Sequence, residues 1–122
     1  MKEPTVSLLE LGRAHFNEGR YFEAHEVWEE AWLAEAGATK SFLQGLIQIA
    51  AGYHIALERR RPKGCARLLE AGLSKIVGAV SPRLALEPFA AAVRDDAEEA
   101  RRWERGEVSG LKRARAPCLR SK

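Results

Sequence analysis

The longest apolar segment of the chain runs from Lys40 to Arg60 and has a helical period. At 100° per residue its apolar side chains cover nearly the whole circumference, which is typical of a helix buried on most sides. Gly45 and Gly52 lie on a separate stripe of small residues, which favours close approach of a neighbouring helix. The sequence therefore predicts a central helix. Its polar residues, Gln44, Gln48 and His54, argue against a membrane span.

Four further helical segments are predicted, at residues 4–18, 21–36, 64–80 and 88–105. The first two are joined by a short link and therefore form an antiparallel hairpin, similar in its spacing of small and large residues to a tetratricopeptide unit. The predicted fold class is all-α: a single compact bundle of about five helices, in which this hairpin is followed by the buried central helix. The predicted buried face of the first helix consists of Thr5, Leu8, Leu11, Gly12, His15 and Phe16, with Leu9 at its margin.

Charge divides the chain into two parts. The net charge is +3, but residues 107–122 contain five cationic side chains and one glutamate, so the body of the protein is slightly acidic. Because the 107–122 segment has little periodicity, the predicted organisation is a helical domain at 1–106 and a basic, flexible tail at 107–122. The tail predicts weak, salt-sensitive contact with polyanions. Its loss is expected to leave the fold intact.

The cellular compartment is predicted from the cysteines and the N-terminal residues. Cys65 and Cys118 are too few for a disulfide framework, so two free thiols in a reducing cytoplasm are expected. The first twelve residues contain acids and no apolar core, which argues against a signal peptide. A cytoplasmic protein with no membrane contact is therefore predicted.

The segment Tyr21–Trp32, YFEAHEVWEEAW, contains the largest concentration of residues suited to metal binding or proton transfer. His25 and Glu29 are four residues apart and therefore meet on one side of a helix. A His–Glu pair among aromatic rings is suited to metal binding or proton transfer. The inward positions predicted for His15 and His54 would allow three histidines to converge, so the candidate metal ligands are His25, Glu29, His15 and His54.

The alternative interpretation of these residues is structural. A histidine on an apolar face is commonly satisfied by a carboxylate or carbonyl group, and Gln44 and Gln48 on a buried helix need partners, for which the carboxylates of helix two are nearest. The candidate polar site then consists of His25, Glu26, Glu29, Gln44 and Gln48. The HEVWE spacing also departs from the zincin motif, because Glu29 replaces the second histidine.

Two motifs together resemble a known family. FNEGRYFEAHEVWEEAW followed by FLQGLIQIAAGYH is similar to the bacterial and archaeal family called domain of unknown function 309, and the resemblance covers residues 16–76. The resemblance implies a compact all-helical domain without an established activity. The family's signature residues correspond here to Gly19, Tyr21, Glu23, His25, Glu26, Trp28, Glu29, Trp32, Gln44, Gly45 and Gln48.

Two functional classes remain open at this point. The first is a non-catalytic helical interaction or structural module with a buried His/Glu/Gln network, which binds a protein partner or itself. The second is a small metal-dependent or acid–base enzyme that uses His25, Glu29 and a second histidine. The sequence identifies no catalytic residue and predicts no cofactor, although the second class would require a divalent metal ion or a proton-transfer pair.

Overall fold

The computed structural model describes residues 1–79, 81 and 83–122. Helices α1 (Glu3–Asn17), α2 (Tyr21–Leu33), α3 (Gly37–Tyr53), α4 (Cys65–Ile76) and α5 (Leu86–Glu104) follow one another along the chain, and the π-helical turn His54–Glu58 extends α3. Two short strands, β1 (Leu84–Ala85) and β2 (Arg120–Ser121), pair antiparallel. The predicted all-α class is therefore confirmed. Of the residues predicted to end helix four, Val80 lies outside the described part of the chain.

Each helix packs mainly against its neighbours in sequence, so α3 lies between α2 and α4. The prediction of a central helix is confirmed, because α3 contributes many of the fully buried side chains of the core, including Leu43, Leu46 and Ile49. It is not enclosed on every side, however. Gln44, Ile47 and Gln48 are only half-buried. The helix also begins earlier than predicted, at Gly37, whose φ of 61° accommodates the turn from α2.

Glycines set the distance between α3 and α4. A Cβ placed on Gly45 would lie 2.9 Å from the carbonyl oxygen of Gly72, and one placed on Gly72 would lie 2.5 Å from the carbonyl oxygen of Gly45. The two backbones therefore touch at this point. A Cβ on Gly52 would lie 2.8 Å from Leu69 Cδ2. The predicted role of the small-residue stripe on α3 is confirmed at both of its glycines.

The face that α1 buries differs from the predicted one. Leu9 is fully buried, whereas Leu11 is exposed and His15 is half-buried. The carbonyl oxygen of Leu9 also accepts a hydrogen bond from the indole nitrogen of Trp28, at 3.1 Å, so this side of α1 packs on α2. The Phe16 ring then lies at the centre of an aromatic cluster, within 6.0 Å of the rings of four other residues, Tyr21, Trp28, Tyr53 and Phe89.

The structure places residues 107–122 along the bundle, and the flexibility of this tail remains a prediction. Leu119 is fully buried, its N–H donates to Asn17 Oδ1 at 2.8 Å, and its carbonyl accepts from Arg13 and Asn17. The backbone N–H of Ala116 donates to the hydroxyl of Tyr21 at 2.8 Å. The apolar contacts of Leu111, Ala116 and Leu119 are irregularly spaced, so the sequence pattern could not predict this path.

None of the helices in the described part of the chain combines the length and the apolar character needed to cross a membrane.

Substituting Gly72 tests the contact between α3 and α4. In Gly72→Ala the new methyl group would meet the Gly45 carbonyl and Ile49 Cγ1, at 2.5 and 2.6 Å, so the helices must separate. We expect the free energy of unfolding, measured by urea denaturation, to fall by about 1–3 kcal/mol. Gly110→Ala is the control, because nothing lies within 4 Å of its Cβ position. Equal midpoints for the two variants would contradict the close packing.

Leu119 tests whether the tail belongs to the folded core. Leu119→Ala removes a fully buried side chain, and we expect a loss of about 2–4 kcal/mol of stability, measured by thermal and urea denaturation. Cys118→Ala, at an exposed neighbouring position, should leave the stability nearly unchanged. If both variants melt like the wild type, residues 107–122 are a flexible tail after all, as the sequence predicts.

Candidate functional site

Two His–Glu pairs lie at the junction of α2 with the π-helical turn. On α2, His25 Nε2 is 3.6 Å from Glu29 Oε2. On the π-helical turn, His54 Nδ1 is 3.5 Å from Glu58 Oε1. In each pair the residues are four apart in sequence, and the imidazoles are half-buried while the carboxylates reach solvent. The spacing of His25 and Glu29 thus produces the predicted contact, but at the surface.

Phe22 connects the two pairs. Its ring lies 6.1 Å from the ring of His25, nearly parallel at 22°, and 5.4 Å from the ring of His54 at 48°. The side chain of Phe22 is 48% exposed, which is high for a phenylalanine. We call Phe22, His25, Glu29, His54 and Glu58 the Phe22 cluster.

Glu58 also fixes how the π-helical turn meets α2. Its Oε1 accepts a hydrogen bond from the backbone N–H of Tyr21 at 3.2 Å, at the first residue of α2. The first N–H groups of a helix lack intrahelical partners, and the helix dipole favours a carboxylate there. Glu58 therefore serves both as the partner of His54 and as the acceptor at the start of α2.

Three buried ring nitrogens near α2 have no hydrogen-bond partner in the described residues: His25 Nδ1, His54 Nδ1 and Trp32 Nε1. The His54 nitrogen lies within ion-pair distance of Glu58 but without hydrogen-bond geometry. Beside them, the ammonium of Lys40 is 4.2 Å from the centroid of the Trp32 ring, a cation–π contact. Buried donors or acceptors without partners are uncommon and are found at binding sites more often than elsewhere.

The other residues predicted for the site lie apart from this cluster. His15 Nδ1 accepts a hydrogen bond from Arg20 Nε at 3.0 Å, so the predicted convergence of three histidines is reduced to two around Phe22. Gln48 Oε1 accepts from Lys75 Nζ of α4 at 2.9 Å, and not from a carboxylate of α2. Gln44 is half-buried and Glu26 is exposed. The predicted buried His/Glu/Gln network is therefore not formed as one unit, because helix α3 turns Gln48 toward α4.

Sequence reasoning missed a buried cluster formed by α3, α5 and the tail. The hydroxyl of Tyr53 donates to Asp96 Oδ2 at 2.6 Å, and Arg113 Nε donates to Asp96 Oδ1 at 3.2 Å. Burial raises the pKa of Asp96, which the Tyr53 and Arg113 hydrogen bonds oppose, and burial together with Asp96 raises the pKa of Tyr53 well above its usual range. The available signal was Asp96 itself, an acid inside the apolar stripe of α5.

Cys65 lies close enough to be affected by the same carboxylate. Burial first, and then the charge of Asp96, raise the pKa of the Cys65 thiol to about 12. At neutral pH it is therefore a protonated thiol, which is a poor nucleophile and a poor metal ligand. Within the described residues, moreover, no three His, Cys, Asp or Glu side chains are grouped so that they could hold a metal ion.

These features define a small all-α domain in which a helical hairpin packs on a central helix and two His–Glu pairs flank an exposed phenylalanine. Residues 9–68, from within α1 to the start of α4, match the family model described as Domain of unknown function (DUF309). This match confirms the resemblance that the two sequence motifs indicate. A comparison with curated proteins found no match.

Proposed function

We propose that this chain is a non-catalytic helical interaction module. Its binding surface is the outer face of α2, and its partner is a basic amphipathic segment of another protein. The observation that carries the proposal is the pairing of two exposed apolar side chains with a helix whose charges are all acidic. The Phe22 cluster lies at the N-terminal end of this face.

The charge of α2 supports a basic partner. The helix contains Glu23, Glu26, Glu29 and Glu30, all exposed, and neither lysine nor arginine. Among the described residues, none of these glutamates pairs with a lysine or an arginine, and Glu29 lies beside the imidazole of His25. An unneutralised acidic face attracts basic segments and accelerates their association. It also disfavours pairing with a second copy about a twofold axis, which would place glutamates opposite glutamates.

The apolar residues set the size of the surface. Phe22 is 48% exposed and Leu33 is 69% exposed, and they lie on the same side of α2 because eleven residues make just over three full turns. At about 1.5 Å per residue they are roughly 16 Å apart. Two apolar anchors at that spacing suit an amphipathic helix that lies along α2. The glutamates between them provide the polar contacts.

The α2 surface is tested with a synthetic amphipathic peptide of lysine and leucine, titrated into the full chain and followed by amide shifts in NMR. We expect Glu26→Lys and Phe22→Ser each to weaken binding about tenfold, since each removes a favourable contact of roughly 1.4 kcal/mol. Glu98→Lys makes the same change of charge at an exposed position on α5, and should alter the affinity less than twofold.

Equal weakening by Glu26→Lys and Glu98→Lys would show that the peptide responds to net charge and not to α2. Sedimentation of the full chain then distinguishes the remaining possibility. A monomer–dimer equilibrium that Glu26→Lys strengthens would indicate self-association through the α2 face, contrary to the proposal.

The second candidate function, a metal-dependent or acid–base enzyme, is favoured by one specific observation. His25 and His54 lie on either side of Phe22, each with a carboxylate within 3.6 Å and each with a buried, unpartnered Nδ1. Two His–Glu pairs of this kind would hold a divalent ion or move a proton if the two halves of the cluster closed on a ligand.

Metal content separates the two candidate functions. The full chain, purified without a histidine tag and supplemented with zinc, manganese, iron or nickel, is measured by mass spectrometry beside Glu29→Gln and His25→Ala. For an interaction module we expect sub-stoichiometric metal in all three proteins. One ion per chain in the wild type, lost in both variants while their helical content is retained, would establish the metal-dependent alternative.

Two further properties belong to the proposal. A reducing, cytoplasmic setting is supported by the two free cysteines, of which Cys65 is buried. Weak contact of the tail with polyanions also remains a proposal. Two of the tail's arginines make contacts within the domain, so they are less available to a polyanion than the sequence indicates. Arg113 is engaged by Asp96, and Arg115 donates to the carbonyl of Asn17 at 3.1 Å.

A further inference from the structure

Arg60 follows the π-helical turn in a conformation that favours glycine. Its φ is 57°, and it is the one residue other than glycine with a positive φ in the described part of the chain. The backbone around it is fixed by hydrogen bonds from Arg59 N–H to the carbonyl of His54 and from Arg61 N–H to that of Ile55, both 3.0 Å. A non-glycine residue in this conformation is uncommon, which is a reason to ask what its side chain does.

The side chain of Arg60 lines a cavity of about 270 Å³ between the π-helical turn, the end of α5 and the tail. Two more cations, Lys112 and Arg113, contribute to its wall, and Leu57, Trp103 and Leu111 provide apolar surface. Among the described residues no acidic side chain lines it, although Lys112 and Arg113 also border a neighbouring cavity that contains Asp96 and Glu99. The cavity therefore combines three positive charges with an apolar wall, at a place where three separate parts of the chain meet.

The three cations differ in how far they are available to a ligand, because Lys112 and Arg113 also face the carboxylates of Glu99 and Asp96. Arg60 forms no ion pair or side-chain hydrogen bond with the described residues. Lys112 is 81% exposed and reaches only Glu99, at 3.9 Å. Arg113 uses Nε for Asp96, and neither of its Nη groups is hydrogen-bonded within the described part of the chain. That contact with Asp96 holds Arg113 in place and leaves the outer edge of its guanidinium free.

We propose that this cavity binds a small oxyanion, a phosphate monoester that carries a compact apolar group. Guanidinium groups donate paired hydrogen bonds to phosphate oxygens, and Lys112 adds a third positive charge. The apolar group lies against Leu57, Trp103 and Leu111. The volume is slightly below the usual range of ligand pockets, which suits a phosphate with a single ring. This site is independent of the α2 surface.

Binding is measured on the full chain by NMR, through the indole N–H signal of Trp103, assigned by its loss in Trp103→Phe. Phenyl phosphate, inorganic phosphate and phenol are titrated separately at constant ionic strength. We expect saturable binding of phenyl phosphate, several-fold weaker binding of inorganic phosphate, and no saturation with phenol. Phenol binding as tightly as phenyl phosphate, or no saturation with either phosphate compound, would overturn the proposal.

Arg60→Gly is the decisive variant, because glycine adopts the same backbone conformation without strain. We expect it to keep an equal or higher Tm while the affinity for phenyl phosphate falls at least tenfold. Lys112→Gln should lower the affinity severalfold, and Arg61→Gln, an exposed neighbour outside the cavity wall, should leave it unchanged. Equal losses in Arg60→Gly and Arg61→Gln would show a diffuse basic surface, and the proposed site would be wrong. If Arg60→Gly failed to fold, the affinities of Lys112→Gln and Arg61→Gln for phenyl phosphate would be compared instead. Equal affinities of these two variants would then contradict the proposed site.

Discussion

The contact of the α3 and α4 backbones at Gly45 and Gly72 is the constraint on which the rest of the structure depends. A Cβ on either glycine would lie within 3 Å of the opposite carbonyl oxygen, so the distance between these helices is set by backbone and not by side chains. With α4 held so close, Ile49 and Leu69 are fully buried. Helix α2 then packs on the opposite side of α3, and the order of the layers follows the order of the chain.

The π-helical turn connects the packed part of α3 to the Phe22 cluster and determines the geometry of that cluster. Tyr53, the last residue of α3, is fully buried and donates a hydrogen bond to Asp96. The residues that follow it form the π-helical turn and no longer have α-helical geometry. A π-helical turn changes the direction of every side chain that follows it, and such turns are frequent at functional sites. Here it directs His54 toward Phe22 and brings Glu58 to the first N–H of α2, so the two helices share one surface.

The proposed surfaces differ in charge because the helices differ in composition. Helix α2 carries four glutamates and neither lysine nor arginine, while Arg60 and the pair Lys112–Arg113 come together from two segments that are distant in sequence. An acidic helix face can be predicted from one stretch of sequence. A cationic cavity with contributions from the π-helical turn and the tail exists only after folding, and the proposed phosphate site belongs to this second kind.

The sequence by itself determined the class of the fold, the central helix with its glycines, the hairpin and the contact of His25 with Glu29, because each depends on periodicity within one helix. Tertiary structure decided the burial of Leu119, the partner of Gln48, the position of His15 and the Tyr53–Asp96–Arg113 cluster. Those contacts join residues from different elements, and the angle and depth at which the elements pack leave no periodic signal in the chain.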